Sequence, residues 1–70
     1  MEDMSHHLMW KLGVMTGLQD FETTVGELAE LLEANPAEVK RMTALMAERG
    51  VGRRQGDQVM VFFETKMLGD

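Results

Sequence analysis

Two capped helices separated by a very short link constrain this fold more than any other feature of the sequence. Thr24 is followed three residues later by Glu27, and Asn35 is followed three residues later by Glu38. Each pair has the spacing of a capping box, in which side chains satisfy the free N–H groups of a first helical turn. The link between the two predicted helices is too short for an antiparallel pair, so they are expected to cross as in a helix-turn-helix.

The apolar residues of this region give each helix one inward face. The first helix is predicted over about residues 25–33, with an apolar face formed by Leu28, Ala29, Leu31 and Leu32. The second is predicted over about residues 36–49, and its inward residues recur at spacings of three and four: Val39, Met42 and Met46. Pro36 suits the first helical position, and Gly50 suits the position just after the last turn.

A further helix is predicted before this pair, over about residues 5–16, with Ser5 as its cap and Gly17 as its stop. Its inward stripe is expected to consist of Leu8, Leu12 and Met15, with Met9 beside it. Trp10 and Val14 fall off that stripe, so the helix is apolar on more than one side. We therefore expect a contact with a second copy through Trp10 and Val14, helped by Met67 and Leu68.

After Gly50 the hydrophobic period changes from helical to alternating. The Gly56-Asp57 turn signal between such segments predicts a two-stranded hairpin over about residues 51–63. Its inward side chains are expected to be Val59, Val61 and Phe63. The connector 18–23, in which Phe21 is expected to enter the core, has room for one short strand, whereas the tail 64–70 is too short for an element of its own.

Length and composition predict one small domain, residues 1–70, that is mainly α-helical with a small β-hairpin. The chain lacks cysteine, and its apolar runs are too short to span a bilayer. No signal-peptide pattern opens it, so a cytoplasmic protein is expected. Adjacent histidines such as His6 and His7 point in different directions on a helix, and no metal site is expected from them. No catalytic residues and no cofactor are predicted, because the sequence offers no phosphate loop or acid–base pair.

The charges are segregated along the chain, although the formal net charge is −5. Between Lys40 and Arg54 there are five cations and one acid, a net +4, while the rest of the chain has two cations and eleven acids, a net −9. Such segregation indicates one basic patch on an otherwise acidic protein. The alternative is that these charges are ordinary solvated surface residues.

The order of predicted elements and the motif TVGELAELLEANPAEVKRMTALMAERGVGRR resemble a winged helix-turn-helix domain over about Leu8 to Phe63. The matching positions are the Glu27-Leu28-Ala29 triplet, Val39, Met46 four residues before Gly50, and Val51 with the arginines that follow it. In such domains the position of Glu33 is commonly glycine. The resemblance implies a fold of three helices and a two-stranded wing, with the third helix as the recognition helix.

The resemblance also implies DNA binding, with the recognition helix in the major groove and the wing on the backbone. At about 100° per residue, the outward side of that helix consists of Ala37, Lys40, Arg41 and Ala44. Arg53 and Arg54 are neighbours on one wing strand, so at most one faces the same way as the helix. The helix starts at Thr24 and Asn35 offer N–H groups to a phosphate, in addition to capping.

We therefore expect a small regulator of transcription that binds double-stranded DNA as a homodimer and is not an enzyme. The alternative is a winged-helix module for protein contacts that does not bind DNA by itself. In that case a protein partner would bind the acidic surface or the first helix.

Overall fold

The computed structural model, which describes residues 4–69, contains four helices and three strands within that range. The elements are α1 (Met4–Thr16), β1 (Asp20–Thr24), α2 (Val25–Leu32), α3 (Pro36–Arg49), β2 (Gly52–Gln55), β3 (Gln58–Phe62) and α4 (Phe63–Gly69). The strands form one antiparallel sheet in the order β1-β3-β2. The domain is thus a small, mostly helical α/β fold that contains the predicted hairpin and also a third strand.

The central strand β3 places one face of the sheet against the helices. Val59 and Val61 alternate with exposed or half-buried neighbours and are almost completely buried. Residues opposite them in the register, such as Arg54 and Gly52 on β2, share this inner face, while Arg53 and Met60 share the outer one. The predicted inward orientation of Val59 and Val61 is confirmed, and Phe63 is buried as well, although as the first residue of α4 and not as part of the hairpin.

Helices α1, α2 and α3 and the inner sheet face enclose the core. Its fully buried members include Leu12 of α1, Leu28 and Leu32 of α2, Val59 of β3, and the α3 residues Val39, Met42 and Met46. The inward face predicted for α3 is therefore confirmed. Phe21 is half-buried and packs against this cluster from β1, as expected.

Helices α2 and α3 end in the same hydrogen-bonded motif, with different residues in its left-handed position. After α3, Gly50 has φ 73°, and Val51 N–H donates to Met46 O at 2.9 Å. After α2, Glu33 has φ 54°, and Ala34 N–H donates to Ala29 O at 2.9 Å. Both are Schellman ends, and a residue with a Cβ is strained in the position that glycine occupies freely.

Capping at the two helix starts agrees in part with the expected boxes. Asn35 Oδ1 accepts from Glu38 N–H at 2.9 Å, and Asn35 N–H donates to Glu38 Oε1 at 3.3 Å, which completes that box. Thr24 Oγ1 accepts from Glu27 N–H at 3.2 Å. The predicted return hydrogen bond from the Thr24 N–H to the Glu27 carboxylate is wrong. Thr24 is the last residue of β1, and the Glu27 carboxylate accepts from the Thr23 hydroxyl at 3.0 Å instead.

Three predictions about helix faces and ends need correction. Ser5 is not a cap, because α1 begins at Met4 and the Ser5 side chain is buried inside it. Met15 is 48% exposed, and the buried positions of α1 are Ser5, Leu8, Leu12 and Gly13. Leu31 is 45% exposed, since the buried positions of the short helix α2 are Val25, Leu28 and Leu32.

The tail prediction was also wrong, because residues 63–69 form α4. The helix start receives a cap from a distant strand: the Asp20 carboxylate accepts from the backbone N–H of Thr65 at 3.0 Å and from its hydroxyl. These hydrogen bonds, with one from the Glu64 backbone, hold the pKa of Asp20 below its usual value. Phe63 anchors the helix in the core, while Met67 and Leu68 remain exposed.

Candidate nucleic-acid interface

The exposed side of α3 has small residues between cations. Ala37, Lys40, Arg41 and Ala44 are all exposed, whereas Val39, Met42 and Met46 on the other side have no exposed surface. The buried Thr43 hydroxyl donates to Lys40 O at 2.8 Å, so the helix has no unsatisfied polar group there. The four predicted groove residues of α3 therefore lie together on one open face.

The hairpin extends this face through Arg54. The side chains of Arg54, Lys40 and Ala44 line one cleft of about 120 Å³ between β2 and α3, together with Thr43 and Ala47. Arg54 Nη1 donates to Gly56 O at 2.7 Å, which holds the guanidinium near the hairpin turn. Gly56 has φ 62°, a left-handed conformation that glycine adopts without strain in such a tight turn.

Arg53 lies on the opposite face of the sheet. It is across from Met60 in the register, and its Nη2 lies 3.9 Å from the Met60 sulfur. It lines a depression of about 210 Å³ with Glu22, Gln55, Gln58 and Met60. Of these two arginines of β2, Arg54 is therefore brought together with α3 and Arg53 is not. The sequence predicted that they face opposite ways but not which one faces α3.

On its other flank, α3 borders the start of α1. A cleft of about 600 Å³ lies between these helices and is lined by Ser5, His6, His7, Arg41, Ala44, Leu45 and Glu48. We call it the α1–α3 cleft. Sequence reasoning missed this position of His6 and His7 beside α3. No cluster of three or more metal-ligating side chains occurs within residues 4–69.

The two helix starts are occupied by internal caps. Val25 N–H, the first of α2, donates to Asp57 O in the hairpin turn at 2.9 Å, and Glu27 N–H donates to Thr24. At α3, Glu38 N–H is taken by Asn35. Thr24 and Asn35 therefore act as caps of α2 and α3 in this structure. Asn35 lies at the same end of α3 as Ala37, one of the predicted groove residues.

A separate apolar surface covers the side of α1 that faces away from the core. Trp10 is 68% exposed and Val14 62%. They line a groove of about 470 Å³ together with His6, Met9, Gly13, Gly17, Leu18 and Phe63. Met67 and Leu68 of α4 are exposed as well, at 61% and 78%.

No protein-family model, curated protein or solved structure matched this chain. None of the helices in the described part of the chain is long and apolar enough to cross a membrane.

Proposed function

We propose that this protein is a winged helix-turn-helix regulator of transcription that binds double-stranded DNA in the cytoplasm. The element order and the antiparallel sheet order β1-β3-β2 support this assignment. In it, α3 is the recognition helix, and the β2–β3 hairpin is the wing.

The observation that carries the proposal is the basic face that crosses from the wing to α3. Arg54 and Lys40 line one cleft, and Arg41 lies on the same exposed side of the helix. Small Ala37 and Ala44 between them allow the helix backbone to approach a groove closely. Arginine and lysine bind phosphate oxygens and the O6 and N7 atoms of guanine, so this face has the chemistry for both affinity and base recognition.

The test compares two adjacent arginines on one strand. Arg54→Ala removes a cation from the proposed face, whereas Arg53→Ala removes the same charge from the opposite face of the sheet. Loss of one phosphate contact should make the log–log salt slope of duplex binding less negative by about 0.9 per subunit for Arg54→Ala. Arg53→Ala should leave the slope unchanged. Equal effects of both variants would show that net charge alone, and not this face, governs binding.

The apolar groove on α1 supports a homodimer as the working form. Trp10 and Val14 are exposed apolar side chains that line one groove, and tryptophan is a frequent anchor of interfaces. An isologous contact through Trp10 and Val14, helped by the exposed Met67 and Leu68 of α4, would bury it. Since the groove excludes every residue of the basic face, dimerisation and DNA binding would use different surfaces.

Sedimentation of wild type and Trp10→Glu tests the dimer. The wild type should sediment as a dimer at tens of micromolar, and Trp10→Glu as a monomer. Leu31→Glu is the matched control, because Leu31 is an exposed apolar residue of α2 outside the groove. Monomeric wild type at that concentration would contradict the proposal.

The second candidate is a winged-helix module for protein contacts, and the same apolar groove favours it. In that case the partner of α1 would be another protein, and the acidic remainder of the surface would contribute to binding. A wild type that binds no duplex at low salt would favour this function over DNA binding.

A further inference from the structure

We propose that Arg41 reads a guanine on the floor of the major groove, while Lys40 and Arg54 bind the sugar–phosphate backbone at its edge. The inference rests on the proposed DNA binding by α3. It assigns separate roles within the basic face and names one base that the target sequence must contain.

The exposed row of α3 that contains Arg41 carries the first step of the argument. Ala37 lies one turn before Arg41 and Ala44 about one turn after it, and all three are exposed. The two methyl side chains let the helix approach the base edges closely, and Arg41 is the long side chain between them. Glu48 follows one turn after Ala44 on the same side and is exposed as well. Its carboxylate repels phosphate, so this row suits base edges better than the backbone.

Lys40 lies on the other flank of α3, beside the hairpin. It lines one cleft with Arg54, Thr43, Ala44 and Ala47, and both charged residues in the described lining of this cleft are cations. Arg54 belongs to β2, outside the helix that enters the groove. A pair of cations between the helix and the hairpin therefore faces the phosphates of one strand, and such contacts set position and affinity without reading sequence.

The chemistry of the arginine fork selects the base. Guanine presents two acceptors, O6 and N7, side by side in the major groove, whereas adenine presents the N7 acceptor beside the N6 donor. A guanidinium has only donors, so it pairs with both guanine atoms and meets the adenine amino group unfavourably. One such bidentate pair discriminates against a wrong base by about 5- to 140-fold. A cation on the groove floor still offsets phosphate charge, so the base sequence and not the salt slope reveals this contact.

The test selects binding sites for the full chain from a pool of short duplexes with a random central segment. Wild type should select sites with an essential guanine. Arg41→Gln should select adenine at that position, because glutamine pairs with N6 and N7 of adenine. Arg53→Gln is the matched control, because it makes the same change on the opposite face of the sheet, and it should select the wild-type site. Both arginines are exposed, so the fold does not depend on either change.

A second measurement removes one atom from the base. Replacement of the selected guanine by 7-deazaguanine removes the N7 acceptor and keeps Watson–Crick pairing. In fluorescence anisotropy, wild type should bind the altered duplex about tenfold less tightly, because a hydrogen bond from a charged donor is lost. Arg41→Ala should bind the two duplexes equally.

Three results would overturn the inference, and they are distinguishable. Duplex binding by wild type without an essential guanine removes the base contact and leaves the proposed function intact. If Arg41→Gln selects the same guanine as wild type, another residue reads it. Failure of wild type to bind any duplex at low salt removes the inference and the proposed function together.

Discussion

Replacement of Glu33 by glycine should stabilise the domain, because this residue holds the left-handed position of a Schellman end. Glu33 has φ 54° and ψ 44°. An L-residue in that conformation is destabilised by about 1–2 kcal/mol. Glycine avoids this strain but has a more flexible unfolded chain, which offsets about 0.4–1 kcal/mol of the gain. The net effect of the backbone change should be about 0.5–1 kcal/mol of additional stability.

Glu33→Gln is the matched control for charge. A carboxylate at a helix C-terminus is unfavourable to the helix dipole, and both variants remove it equally. The difference between the Gly and Gln variants therefore isolates the backbone. In a domain of this size, the Gly variant should melt about 2–8 °C above the Gln variant in a reversible thermal unfolding experiment.

The end of α3 provides the reverse experiment. Gly50 has φ 73° in the same motif, so Gly50→Ala should lower the melting temperature while Glu33→Gly raises it. A Glu33→Gly variant that melts at or below Glu33→Gln would refute the reasoning, since it would show that no backbone strain exists at that position.

Two further predictions concern the sheet and α4. Gly52→Ala should destabilise the domain by about 1–3 kcal/mol in urea unfolding. The added Cβ would lie 2.9 Å from Met46 Cε and 3.0 Å from the backbone oxygen of Met60, so unchanged stability would contradict this packing. The pKa of Asp20 is lowered by its hydrogen bonds to Thr65, so the stabilisation is present above pH 3.8 and is lost as the pH falls through the lowered pKa. Amide exchange of α4 should accelerate in that acidic range and be fast at neutral pH in Asp20→Asn; slow exchange in that variant would contradict the cap.

The elements predicted correctly from the sequence are those specified by local signals. The Asn35–Glu38 box, the spacing of Val39, Met42 and Met46, and Gly50 lie within one short segment, and each agrees with the others. A helix can be predicted from its own sequence when its N-cap, its hydrophobic periodicity and its C-terminal glycine all indicate the same bounds. The Gly56-Asp57 turn was readable for the same reason.

The errors occurred where distant residues decide the outcome. The cap of α4 comes from Asp20, 45 residues before Thr65. For the candidate site, the helical periodicity of the apolar residues correctly predicted which face of α3 is exposed. The choice of Arg54 over Arg53 depended on strand register, and the approach of His6 and His7 to Arg41 depended on helix packing. Neither has a local signature.

The most direct test of the central claim is the salt dependence of duplex binding at pH 7.5. If Lys40, Arg41 and Arg54 each neutralise one phosphate, the logarithm of the binding constant should fall linearly with the logarithm of salt concentration, with a slope of about −2.7 per subunit. Anisotropy of a labelled duplex between 50 and 200 mM salt measures this slope. A slope near zero, or no binding at the lowest salt, would contradict DNA binding through α3 and the wing.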